Sequence, residues 1–285
     1  MNEDLSLRDF RRKLINWAMC AVLALAAALV LIPLLSVFAY VVKQGISSVN
    51  WNFFTQLPKP VGETGGGMAN ALLGTIELVL LAMLVGVPWG VATGVYLAEY
   101  GRGKFARALG FCVDLMTSVP SIVVGLFTYT ILVMPFKRFS AMAGGASLAI
   151  IMIPIVARTT EELLKLVPNH IREAGLALGI PRWKVTLWIV LRGSMSGIIT
   201  GVMLAVARVA GETAPLLFTA FNNSYWSFKL DQPIASLPIQ IYNYAISPFE
   251  DWHRQAWAGA LVLVCFVLVL NLSTRILMRQ PRSTR

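Results

Sequence analysis

Residues 172–193 read REAGLALGIPRWKVTLWIVLRG: a run of small residues, a glycine, a proline, then a basic and aromatic restart. This compact polar element interrupts a chain built for a different solvent. Of the 285 residues, 57% are hydrophobic and only 13% charged, with a mean hydropathy of +0.69. Soluble domains carry about 25% charged residues. Apolar runs of roughly 18 or more residues cross the hydrocarbon core as helices, and several are present here. The expected fold class is an all-α, polytopic membrane protein.

Six spans are expected, near residues 17–42, 72–97, 111–133, 144–157, 193–221 and 257–278. The first is too long for a signal-peptide core of about 7–15 residues, and reads as an uncleaved span. Charge sets the orientation, because lysine and arginine collect on the cytoplasmic side. With the N-terminus inside, seventeen of the 24 basic residues face the cytoplasm, six face out and Arg208 stays in the membrane. The predicted organisation is a cytoplasmic segment 1–16, a transmembrane domain 17–278 with a cytoplasmic loop at 158–192, and a cytoplasmic tail 279–285. Trp51, Trp226, Trp252 and Trp257 lie in or beside the outer loops, where interfacial anchors belong.

The net charge of +10 follows from that orientation. No basic stripe with interleaved aromatics is present, so nucleic acid is not an expected partner; membrane lipid is. Cys20, Cys112 and Cys265 are dispersed through apolar segments, an odd set that suits neither a disulfide framework nor a thiolate metal site. His170 and His253 fall in different loops without a ligand cluster. The chain lacks G-x-x-x-x-G-K-[ST]: GRGK at 101–104 has the wrong spacing, and GETGGGMANALLG at 62–74 has no lysine for phosphates. No bound ATP, cofactor, metal or catalytic residue is therefore expected on this chain. Each of the first five spans holds a proline (Pro33, Pro88, Pro120, Pro154, Pro215), and each proline costs a helical hydrogen bond that lipid cannot replace. Bent helices around a pathway are the expectation.

In the opening stretch, Pro168 suits a helix start and Gly179 the C′ position that ends one. Ile171, Ala174, Gly175 and Leu178 share one face of the intervening helix. So short a helix is marginal alone and needs a partner surface, either its own chain or another. The pattern then resembles the EAA motif of ABC importer permeases, in which E-A-A is followed by three residues, G, nine residues and I-x-L-P. Glu173, Ala174, Gly179, Ile189 and Leu191 match; Gly175 stands for the second alanine and Arg192 for the closing proline. The resemblance implies a type I ABC importer permease fold in the bacterial inner membrane. It also implies that Glu173, Ala174, Gly175 and Gly179 form a coupling helix that docks on an ATPase subunit, where ATP is bound and hydrolysed.

A narrower resemblance, to the permeases of phosphate ABC importers, rests on GGGMANALLGTI (65–76), SVPSIVVGLF (118–127) and RVAGETAPLLFTA (208–220). It implies inorganic phosphate as substrate and three kinds of partner: a homologous permease (PstC), an ATPase dimer (PstB) and a periplasmic phosphate-binding protein (PstS). Arg208, Glu212 and Thr213 are then the candidate pathway residues. Arg208 and Glu212 are spaced i, i+4 in the fifth span, and an intramembrane ion marks a functional site by default. The order Arg then Glu is the weaker one for such a pair, which leaves the guanidinium available to an anion or to a partner's carboxylate. A carboxylate acceptor at Glu212 suits phosphate, which keeps a P–OH near neutral pH, over sulfate, which has none. Glu77 and Asp114 are weaker candidates. The rivals are an importer of sulfate or molybdate, an ion-coupled carrier with Glu212 as proton site, and a membrane sensor or scaffold that transports nothing.

Overall fold

The computed structural model describes residues 3–63 and 65–277; the expected tail at 279–285, and Met278 before it, lie outside them. Every regular element among the described residues is helical. The first helix, α1 (Glu3–Gly45), continues through Pro33 and is followed by a single turn, α2 (Trp51–Thr55). Next, α3 (Ala69–Val95) carries Pro88 without a break and widens into a π turn at Tyr96–Tyr100. The chain then forms α4 (Gly103–Ser118), α5 (Ser121–Thr128), a second π segment and the short α6 (Met134–Phe136). The central α7 (Ala141–Lys165) holds Pro154. Beyond it lie α8 (Asn169–Ala177), α9 (Arg182–Lys184) running into a π segment Val185–Leu191, and α10 (Met195–Ala210). The last elements are α11 (Ala214–Thr219), α12 (Leu237–Ala245) and α13 (Glu250–Leu277).

Four of the six expected spans are continuous helices long and apolar enough to cross a membrane: Asp9–Gly45, Ala69–Tyr100, Ala141–Lys165 and Glu250–Ser273. The other two, expected at 111–133 and 193–221, are the ones that bend. The third is a bent pair, Gly103–Ser118 and Ser121–Phe136, at 105° to each other. Val119 before Pro120 is extended (φ −66°, ψ 129°), the conformation a following proline imposes. The fifth begins earlier than expected, with Arg182–Leu191 set at 70° to α10, and α10 ends at Ala210. There Pro215 sits in the first turn of α11, where its missing N–H costs nothing. The segment 222–255, expected as an outer loop, contains α12 with Leu237, Ile239, Gln240 and Tyr244 buried.

The core is made by close backbone approach, since lipid supplies no hydrophobic drive between spans and small residues let helices pack. Gly86, Gly90 and Gly94 form a four-residue stripe of α3 that lies on Met152, Val156, Ala157 and Thr160 of α7. Leu78, Ala82, Leu148, Met152, Ala205, Val209 and Leu216 fill the centre between α3, α7, α10 and α11. A second cluster of Phe53, Met68, Leu237, Tyr244 and Ala258 closes the end of the bundle at which α3 begins. There the Leu237 N–H donates to Thr75 Oγ1 at 2.8 Å and Asn70 Nδ2 to the Asn223 carbonyl at 2.6 Å.

Candidate functional site

Helix α8 starts after Pro168 and stops where its sequence requires. Gly179 has φ +77°, its N–H bonds the Leu176 carbonyl at 2.9 Å, and the Ile180 N–H bonds Gly175 at 3.2 Å. These two bonds are the Schellman termination. The shared face of Ile171, Ala174, Gly175 and Leu178 divides. Gly175 is buried against the returning chain, where an added Cβ would stand 3.0 Å from Val185 Cγ2 and 3.2 Å from Ile189 Cδ1. Glu173 and Ala174 are exposed, as is Leu178 at 80%. The helix is thus clamped to its own chain on one side and presents an acidic and an apolar residue on the other.

Two buried carboxylates anchor ion pairs near this loop, and the first ties it to the bundle. The Glu99 side chain, 6% exposed, sits in the π turn at the end of α3 and pairs with Arg172 of α8. Arg172 Nε and Nη2 donate to Glu99 Oε1 at 2.9 and 2.6 Å. Nη2 also reaches the Leu164 carbonyl at 2.7 Å, and Nη1 donates to the Val167 carbonyl and to Asn169 Oδ1. From the far side of the loop, Arg182 donates to the Glu99 carbonyl and lies over the Tyr100 ring, 5.1 Å from its centroid. The second carboxylate, Glu161 of α7, accepts from Arg158 Nη1 and Lys165 Nζ, each at 2.6 Å. Arg158 also pairs with Asp114 of α4. Asp114 therefore belongs to an ion-pair network joining α4 to α7.

At the other candidate site, Arg208 occupies the last turn of α10, Gly211 caps it, and Glu212 and Thr213 form the break before α11. The two ions stay together, Nε to Oε1 at 3.9 Å, beyond hydrogen-bond length. Thr213 is the N-cap residue of α11, with no side-chain capping bond. Glu77, on α3, has one buried carboxylate oxygen without a hydrogen-bond partner.

Sequence reasoning singled out Arg208, Glu212, Glu173 and Gly179 but passed over Glu99 and Glu161. Glu161 carried a signal, since Arg158 and Lys165 stand at i−3 and i+4 of it on one helix face. For Glu99 the signal was weaker: a lone acid closing a long apolar run, with its arginine partner 73 residues on.

A helical bundle with one charged break inside it and one short exposed helix slung from its polar end fits one class, the membrane component of a transport system. The family described as "Binding-protein-dependent transport system inner membrane component" matches residues 90–280, and the chain belongs to that family. It is 45% identical to a Yersinia pestis protein named "Phosphate transport system permease protein PstA", over 99% of this chain and 98% of that one. A Haemophilus influenzae protein of the same name is 44% identical, over 99% and 100%. Among solved structures, a bacterial alginate ABC transporter in complex with its pentasaccharide-bound periplasmic protein aligns at TM-score 0.63, with 15% identity over 95% of this chain and 96% of that one. The inward-facing methionine transporter MetNI aligns at 0.58, with 18% identity over 75% and 93%. The fold is that of a type I ABC importer permease, and the chain is a transport component rather than an enzyme.

Proposed function

We propose that this chain is the permease subunit of an ATP-driven phosphate importer, and forms half of the translocation pathway. Near-full-length identity to relatives named as phosphate permeases carries the reading. In it, a homologous permease of the PstC type supplies the other half of the pathway, and a PstS-type binding protein delivers phosphate from the periplasm. A PstB-type ATPase dimer binds beneath the loop at 158–192, with both chain termini on its side of the membrane. ATP sits on those subunits, and this chain needs no cofactor.

The residues fit these roles. Arg208, with a side chain 55% exposed, offers a guanidinium that matches phosphate oxygens with two parallel bonds. Glu212, 17% exposed, accepts the phosphate P–OH, and Thr213 lines the same break. A sulfate ion would leave that acceptor unpaired, which is costly away from water. At the other end, Glu173 and Ala174 face the ATPase, Gly175 seats the helix on its own chain, and Gly179 ends it.

The test is radiolabelled phosphate uptake at micromolar phosphate in cells lacking this chain, complemented with wild type or with Glu173→Lys at equal membrane levels. Uptake restored by wild type alone is the expected result. Uptake that never depended on the chain overturns the substrate and points to sulfate or molybdate. Restoration by both overturns the role of α8.

A further inference from the structure

We infer that Glu99 is the positioning residue through which α8 grips and moves the inner end of α3, so that transport stays tied to hydrolysis. The inference rests on the importer reading above. A coupling helix is useful only if its displacement reaches a span, and α8 is joined to its neighbours by short non-helical connections at 166–168 and 178–181. Glue between α8 and a span must come from side chains, and Glu99 supplies it.

The donor inventory of Arg172 is closed. A guanidinium has five N–H groups, and those of Arg172 are distributed over the Glu99 carboxylate, the Leu164 and Val167 carbonyls and Asn169. One side chain thereby ties α8 to the ends of both α3 and α7. Arg182 grips the same turn from the opposite flank, through the Glu99 carbonyl and the Tyr100 ring, and the Tyr100 hydroxyl meets Thr186 Oγ1 at 3.4 Å. Both limbs of the loop therefore converge on one turn of α3. That turn is a π turn, with the Gly101 N–H reaching back to the Tyr96 carbonyl at 2.6 Å. Such wide turns are frequent at functional sites. The pair is also largely withdrawn from solvent, with Arg172 19% and Glu99 6% exposed, so salt screens it less than a surface pair.

The test uses the complete transporter with its binding protein in proteoliposomes, measuring ATP hydrolysed and labelled phosphate accumulated in the same vesicles. Glu99→Gln keeps the shape and removes the charge; Arg172→Gln removes the other half. Each single variant is expected to lower phosphate moved per ATP about tenfold, the scale of a typical coupling free energy, while hydrolysis continues. The double variant should be no worse than either single, because two partners of one contact are not independent. Glu99→Asp should fall between wild type and Glu99→Gln. If Glu99→Gln fails to assemble, Arg172→Lys serves instead, keeping the charge with three donors in place of five, and the same fall in ratio is expected. An unchanged ratio, a parallel fall in uptake and hydrolysis, or multiplying effects in the double variant would each overturn the inference. Wild-type vesicles that hydrolyse ATP without accumulating phosphate would instead sink the importer reading, and the role of Glu99 with it.

Discussion

Arg208 and Glu212 face each other across the end of α10 at 3.9 Å, close enough to attract and too far to hydrogen-bond. The guanidinium keeps donors for a third party. Arg208→Ala should lower phosphate uptake about 10–100-fold at equal membrane levels, the worth of charge-assisted bonds. Normal uptake in that variant removes Arg208 from the pathway. Glu212→Gln should narrow the preference for phosphate over sulfate about tenfold, read by competition of labelled phosphate with unlabelled sulfate. An unchanged preference ends the account of Glu212 as acceptor of the P–OH.

The Schellman turn makes a cleaner prediction, because Gly179 has φ +77° and nothing lies within 4 Å of an added Cβ. Substitution there acts through the backbone alone. Asparagine tolerates the left-handed region, so Gly179→Asn should retain uptake. A residue with an ordinary Cβ loses about 1–2 kcal/mol in that conformation, and a β-branched one more. Gly179→Val should cut uptake severalfold and weaken retention of the ATPase subunit during purification. Equal behaviour of the two variants would show that the turn is not what positions α8.

The glycine stripe of α3 predicts where size matters. A Cβ on Gly90 would stand 2.7 Å from Val156 Cβ, and one on Gly94 2.5 Å from the Ala157 carbonyl. Overpacking a tight contact costs about 1–3 kcal/mol, so Gly90→Leu should reduce the level of folded protein in the membrane. Gly110, in α4 with open space around it, is the control. Gly110→Ala should leave thermal stability of the solubilised protein equal or slightly raised, since alanine is the better helix former. Similar losses at both positions would argue against the stripe as the seam between α3 and α7.

What the sequence disclosed follows from which forces act locally. Spans were legible because hydrocarbon demands unbroken apolar runs, and α1, α3, α7 and α13 answer to them. Helix punctuation at Pro168 and Gly179 was legible because it depends on the backbone of the residues themselves. The prolines were seen but not what they do: Pro33, Pro88 and Pro154 sit in continuous helices, whereas Pro120 and Pro215 lie at breaks. Which of these happens depends on whether neighbours satisfy the freed carbonyl, and neighbours are not in the local pattern. The grip of Glu99 on Arg172 was hidden for the same reason, as a contact between segments far apart in the chain. So was the splitting of the α8 face, where only the crossing of Val185 and Ile189 decides that Gly175 turns inward.

The placement of α1 has a consequence for how the molecule is made. Its residues from Asp9 to Tyr40 are exposed throughout, and its firmest hold on the bundle is α13. Tyr40 meets Trp257 edge to face at 5.1 Å, and Gly45 lies against Trp257 and Leu261. A helix made early is thus completed by one made much later. At about 5–20 residues per second, Tyr40 waits tens of seconds in the bilayer before Trp257 exists, a window in which translocon, lipid or a chaperone must shelter it.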